Sequence, residues 1–190
     1  MRWRTVSLTI TAIILITLSS LVKSAHCQEE QWNKALIKQQ ALDSWYNQQA
    51  RWFNSALLVF HQQVFLHKEF SKTELTSLWH PSKQGFHDKM DQQIVASSQA
   101  SLLLDEQIEK LGQGQLQIEE MQSMWSAMSV HCDIADLKVN ALSSARYVIT
   151  NQELQQELTL LIRKVSFLKN TYSAEAQVLR DTKARAESAP

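Results

Sequence analysis

Residues 115–142 read QLQIEEMQSMWSAMSVHCDIADLKVNAL. Within them Ile118, Met121, Trp125, Met128, Cys132, Ala135, Val139 and Leu142 alternate spacings of three and four residues without a slip. A repeat of about 3.5 residues held this long describes a coiled-coil seam, because it returns each apolar side chain to one stripe of a helix. Leu154, Leu158, Leu161, Val165, Leu168 and Tyr172 continue the repeat in a shifted phase. The shift falls at 146–151, where Thr150 and Glu153 form a capping-box pattern. Either the chain turns back there as a hairpin, or one helix of roughly seventy residues absorbs a stutter. With no Gly or Pro at the shift, the spacing leans towards a continuous or kinked helix.

Working outward, residues 28–70 lack Gly and Pro and are dense in aromatics. Tyr46, Ala50, Phe53, Leu57, Phe60 and Val64 follow helical spacing, with Leu42, Trp45, Trp52, Ala56 and Val59 as a second stripe beside them. Two adjacent stripes predict a wide buried face, as in a bundle. The main break is the segment 71–87. Ser71 with Glu74 is a capping box opening a short helix through Trp79, which Pro81 and Gly85 end in a loop. Asp88 is placed to cap the next helix, with Met90, Ile94, Leu104, Ile108 and Leu111 on one line and small residues at 97–101. Gly112-Gln113-Gly114 reads as its C-cap and turn. The polar tail 180–190 is expected to fray.

Composition agrees. Of 190 residues only 3 are Gly and 2 Pro, where average usage would give roughly thirteen and about ten. Turn-rich β folds and phosphate loops need those residues, so the chain is expected to be all-α: an elongated helical bundle or antiparallel coiled coil of three to four long helices, with residues 28–190 as one domain. Net charge is +0. With no basic stripe to neutralise phosphates, nucleic acid is not an expected partner.

Residues 1–27 read as an export signal. Arg2 and Arg4 precede an apolar run from Leu8 to Leu18, and small residues follow at Ser24 and Ala25. The alternative is an uncleaved anchor over residues 5–22, although that stretch is slightly short of the ~20 apolar residues a span needs. Two junctions satisfy the small-residue rule: after Cys27 (Ala25 and Cys27 in the small positions) or after Ser24 (Val22 and Ser24). Only the second keeps Cys27 available to pair with Cys132, a bond that export permits. The other reading of Cys132 is a small buried side chain at the seam.

No motif for catalysis, metal or cofactor is present: the sequence has no Gly-rich phosphate loop, His-Glu-x-x-His or Cys-x-x-Cys. His61, His67, His80 and His87 cluster only in sequence, and adjacent helical residues such as His131 and Cys132 point about 100° apart. The chain is therefore read as a non-enzyme without cofactor. Trp79 and Phe86, large apolar groups in the 71–87 loop, are candidates for a partner-contact patch. The competing reading tucks them under the bundle as a lid.

The stretch Gln115–Leu161 contains Asp133-Ile134-Ala135-Asp136-Leu137 and then Asn151-Gln152-Glu153-Leu154-Gln155-Gln156-Glu157-Leu158. Together with the leader and the Gln-rich mature chain, it resembles the long-helix hairpin of the minor-pilin, pilus-tip family of conjugative type IV secretion systems. The aromatic density of residues 32–70 departs from that family's pattern. The resemblance implies an exported protein, periplasmic or at the cell surface, that assembles with other envelope proteins or with itself through helices. It would touch the membrane only through an uncleaved leader. The alternative is a soluble periplasmic binding module, such as a chaperone, sensor or inhibitor, using the 71–87 loop.

Overall fold

The computed structural model describes residues 27–188. The leader, apart from Cys27, lies outside them. Helices follow in the order α1 (Glu29–Gln62), α2 (Leu66–Glu69), α3 (Lys72–Leu78), a 3-10 turn (Pro81–Lys83), α4 (Gln84–Ile134) and α5 (Lys138–Ser188). The fold is all-α, with three long helices and no strand among the described residues. None of these helices is long and apolar enough to cross a membrane.

Every seventh residue of α4 from Met90 to Cys132 is buried: Met90, Ser97, Leu104, Leu111, Ile118, Trp125 and Cys132. This line corrects the turn expected at Gly112–Gly114, where α4 continues as helix. A glycine inside a helix costs about 1 kcal/mol relative to alanine. Burying a leucine or isoleucine contributes about 1.5–3 kcal/mol, and Leu111 and Ile118 on either side are fully buried.

The chain turns at Ala135–Leu137 instead. Asp136 takes a positive φ of 61°, while the Leu137 N–H donates to Cys132 O at 2.9 Å and the Asp136 N–H to Asp133 O at 3.1 Å. Those two bonds are the Schellman pattern, with Asp standing where Gly is usual. Lys138 bonds Asp133 across the turn at 2.8 Å, and that hydrogen bond, followed by the carboxylate's charge, raises the Lys138 pKa. The turn also corrects the seam. Val139 and Leu142 lie beyond it and are 77% and 72% exposed. At 146–151 the helix is continuous, as the lack of Gly and Pro predicts, with buried Ser144 and Asn151 carrying the α5 line up to Leu158 and Val165. The single helix of roughly seventy residues is overturned, because the turn at 135–137 starts α5 afresh at Lys138.

The chain forms two compact units: residues up to Tyr46 with Gln115–Glu157, and Asn47–Gly114 with residues from Leu158 on. In unit 1, α4 and α5 run antiparallel, with Ser129 Oγ on Ala141 O at 3.0 Å and Gln155 reaching Glu119 at 3.5 Å. Its core holds Leu42, Ile118, Met121, Trp125 and Met128 around a polar centre. Gln39 Oε1 accepts from the Trp125 indole at 2.9 Å and from Asn151 Nδ2 at 2.8 Å. Gln39 Nε2 donates to Asp43 at 2.9 Å and to Asn151 Oδ1 at 3.2 Å, so the buried amides are satisfied. Gln39 is thus a core residue. At the far edge of unit 1, Cys27 and Cys132 are disulfide-bonded with Cα atoms 5.5 Å apart. The pairing alternative for Cys132 holds, and its side chain is also fully buried, as the seam alternative requires.

In unit 2 the seam residues Leu158, Leu161, Val165 and Leu168 are buried, and Lys169 and Lys183 of α5 pair with Asp105 and Asp91 of α4 at 2.7 Å. Leu154, which belongs to unit 1, is half-buried. Apart from Val139, Leu142 and Leu154, the seam residues named from Ile118 to Leu168 pack in the cores of the two units, save Ala135 in the turn. Of the second α1 stripe, Trp52 and Val59 lie at the surface, while Phe60 of the first stripe meets Phe65 at 5.1 Å and Tyr172 at 5.8 Å. The expected frayed tail is helical through Ser188, held by buried Thr182 and by Ala186 against the unit 2 core.

Candidate partner-binding site

The helix α1 stops at Gln62 although neither Gly nor Pro is present, and the reason lies on α5. Glu175 is fully buried. Its Oε1 accepts from the Leu66 N–H at 2.9 Å and from Gln93 Nε2 at 3.2 Å. Its Oε2 accepts from the His67 N–H at 2.9 Å and lies 2.5 Å from His67 Nδ1. A buried carboxylate is tolerated only when its lone pairs are filled this way. Gln93 Nε2 also reaches Val64 O at 3.2 Å. Leaving the helix at Gln63 lets Phe65 turn into the core and Val64 turn out.

The next segment is fixed by the expected capping box. Ser71 Oγ accepts from the Glu74 N–H at 3.3 Å and Glu74 Oε2 accepts from the Ser71 N–H at 2.8 Å. That backbone bond, with the Ser71 hydroxyl second, lowers the Glu74 pKa. The short helix expected from Ser71 is α3, whereas the loop expected after it is a 3-10 turn with Pro81 at its start, and α4 opens at Gln84 rather than at an Asp88 cap.

These supports surround an apolar cavity of about 530 Å³ lined by Val64, Leu66, Phe70, Leu78, Phe86, Lys89, Met90 and Gln93. Of its walls, Met90 belongs to the core cluster of Leu75, Trp79, Met90, Ile94 and Leu179, and Leu66 and Leu78 pack against that cluster. Its rim is unusual for apolar side chains, with Val64 64%, Phe86 52% and Phe70 43% exposed. Lys89 is the sole charged residue in the lining. Gln93 is the other polar side chain in its walls, and the remaining six lining residues are apolar. A second groove of about 440 Å³ in unit 1 carries Lys38, Gln117 and Glu120 among its walls. It is the more polar of the two, which favours the Phe86 cavity as a hydrophobic contact site.

No family model, curated protein or solved structure matches this chain.

The two loop residues singled out in the sequence part company. Phe86 stands on the rim as expected of a contact residue. Trp79 does not: it is 6% exposed, donates its indole N–H to Thr182 Oγ1 at 3.2 Å, and lies under the Lys183 ammonium at 5.0 Å. It is tucked into the unit 2 core with Leu75, Met90, Ile94 and Leu179, as the competing reading has it. The clustered histidines have separate structural partners. His80 Nδ1 accepts from the Ser82 N–H at 3.2 Å, His87 packs 5.3 Å from the Trp79 ring, and His67 sits on Glu175. Among the described residues no three His, Cys, Asp or Glu side chains are placed to share a metal. Val64, Leu66, Phe70 and Leu78 were missed as site residues. Their signal was the density of large apolar groups on both sides of the capping box, in a segment that cannot bury them all.

Proposed function

We propose that the chain is a non-enzymatic exported protein whose helices assemble with another envelope protein, and that the cavity beside Phe86 receives an apolar side chain of that partner. The observation that carries this is the rim itself: Val64, Phe70 and Phe86 are held 43% to 64% exposed around an apolar hollow. Leaving three such groups in water is unfavourable by about 25 cal/mol per Å² of apolar surface, a cost that a docked partner removes. A clustered aromatic rim over a packed floor is the arrangement from which binding hot spots are drawn.

Export is supported by the leader-like sequence of residues 1–27 and by a disulfide that persists in oxidising compartments. The resemblance of Gln115–Leu161 supplies a setting, a minor component of a type IV secretion or conjugation apparatus. The second reading, a soluble periplasmic binding module, would use the same cavity and differ in whether the complex is a permanent one.

Replacing Phe70 and Phe86 together by Ser should weaken association with the envelope partner by roughly tenfold or more, since each lost anchor costs more than about 1 kcal/mol. Both side chains are substantially exposed, so the melting temperature should hold. Co-isolation of the native complex, quantified beside thermal melts, checks this. Wild-type association by the double variant would refute the assignment of the cavity.

A further inference from the structure

We infer that the leader is removed between Ser24 and Ala25, so that the mature chain begins Ala25-His26-Cys27 and keeps the cysteine that closes unit 1. This rests on the proposed export, because a leader peptidase acts on an exported chain. Two junctions satisfy the small-residue rule, after Ser24 and after Cys27. Local sequence does not separate them, but the fold does.

The sequence contains 2 cysteines, and the structure joins them, Cys27 to Cys132, across 105 residues. Their Cα separation of 5.5 Å is in the middle of the disulfide range. Both are buried and pack with Ala141 as a small apolar cluster, beside the turn that links α4 to α5. Cutting after Cys27 would discard one half of this cluster and leave Cys132 as a single thiol. Cutting after Ser24 leaves it whole with two residues to spare.

The bond closes by thiol–disulfide exchange with an oxidant that carries a disulfide: one cysteine thiolate attacks that disulfide to give a mixed disulfide, and the second thiolate displaces the oxidant's sulfur, so the two cysteines are oxidised while the oxidant leaves as its dithiol. Once the chain has folded, the second junction is shut. Cys27 is 6% exposed, and the Gln28 carbonyl accepts from the Trp32 N–H at 3.0 Å as the first bond into α1. The alternative that also keeps Cys27, a retained anchor over residues 5–22, is disfavoured by the short Ser- and Thr-diluted run.

The test is the intact mass and N-terminal sequence of the chain expressed with its own leader and isolated from the envelope, alkylated before and after reduction. The expected species starts at Ala25 and takes up alkylating reagent at two sites only after reduction. A chain starting at Gln28 with one free thiol would overturn the inference and leave export standing. An exported, disulfide-bonded chain that still carries residues 1–24 would overturn the processing site in favour of an anchor. A full-length cytoplasmic chain with both thiols free would overturn the export reading and the inference with it. As a second variant, Ser24→Tyr should accumulate precursor or divert cleavage to Gln28. Unchanged processing of that variant counts against the junction.

Discussion

Truncating Trp125 to Ala is expected to cost about 3–5 kcal/mol, the range for removing a fully buried aromatic. The indole stacks on Tyr147 with centroids 4.4 Å apart and planes at 18°, and meets Trp32 edge-on at 5.3 Å. Its N–H supplies one of the two bonds to Gln39 Oε1, in a network that also orients Asn151. The loss is therefore a cavity plus one of the two hydrogen bonds to Gln39 Oε1, and a single hydrogen bond contributes about 0.5–1.5 kcal/mol. Trp125→Phe separates the two: it keeps most of the ring and should cost only the hydrogen-bond share. Urea denaturation followed by near-ultraviolet circular dichroism reads both. A loss below about 1.5 kcal/mol for the Ala variant would mean that this core is not the one described. Because Trp125 is core, a charge at that position would unfold unit 1 before it could report on a partner.

Reducing the Cys27–Cys132 disulfide should destabilise unit 1 on a similar scale. A bond spanning 105 residues restrains the unfolded chain by about 4.7 kcal/mol in the loop-entropy treatment, with measured removals from small secreted domains at roughly 2–5 kcal/mol. The double variant Cys27→Ser with Cys132→Ala should match the reduced wild type, since both lose the crosslink and keep a small side chain in the buried site. Denaturation with and without reductant is the check. A reduced protein as stable as the oxidised one would show that the crosslink is absent or idle in solution.

How far the sequence leads can be judged from particular residues. The seam residues Ile118, Met121, Trp125 and Met128 were legible, because buried apolar side chains repeat where helices meet. So was the Ser71–Glu74 box, which depends only on neighbours in the chain. The true turn was not. It rests on an aspartate in the left-handed region, and Val139 and Leu142 keep the seam's spacing across it by coincidence. Gly112 and Gly114 gave the opposite error, a local breaker signal overruled by the burial around it. Gln39, Asn151 and Glu175 were hidden for a common reason: each is a polar residue at a core position, made tolerable by partners more than a hundred positions away in the chain or on another helix. The cavity was half legible. Phe86 announced itself as a large apolar group near Pro81 and Gly85, but the other walls are assembled by Glu175 and Gln93, whose grip on residues 64–67 no local pattern reveals.

The most direct measurement is photo-crosslinking in the intact envelope, with a photoreactive phenylalanine placed at Phe86 on the cavity rim or, as a control, at exposed Gln152 of unit 1. One discrete crosslinked protein is expected from position 86, absent from position 152 and lost when Phe70 is changed to Ser. Equal crosslinking from both positions, or a position 86 product indifferent to Phe70→Ser, would contradict the assignment of the cavity.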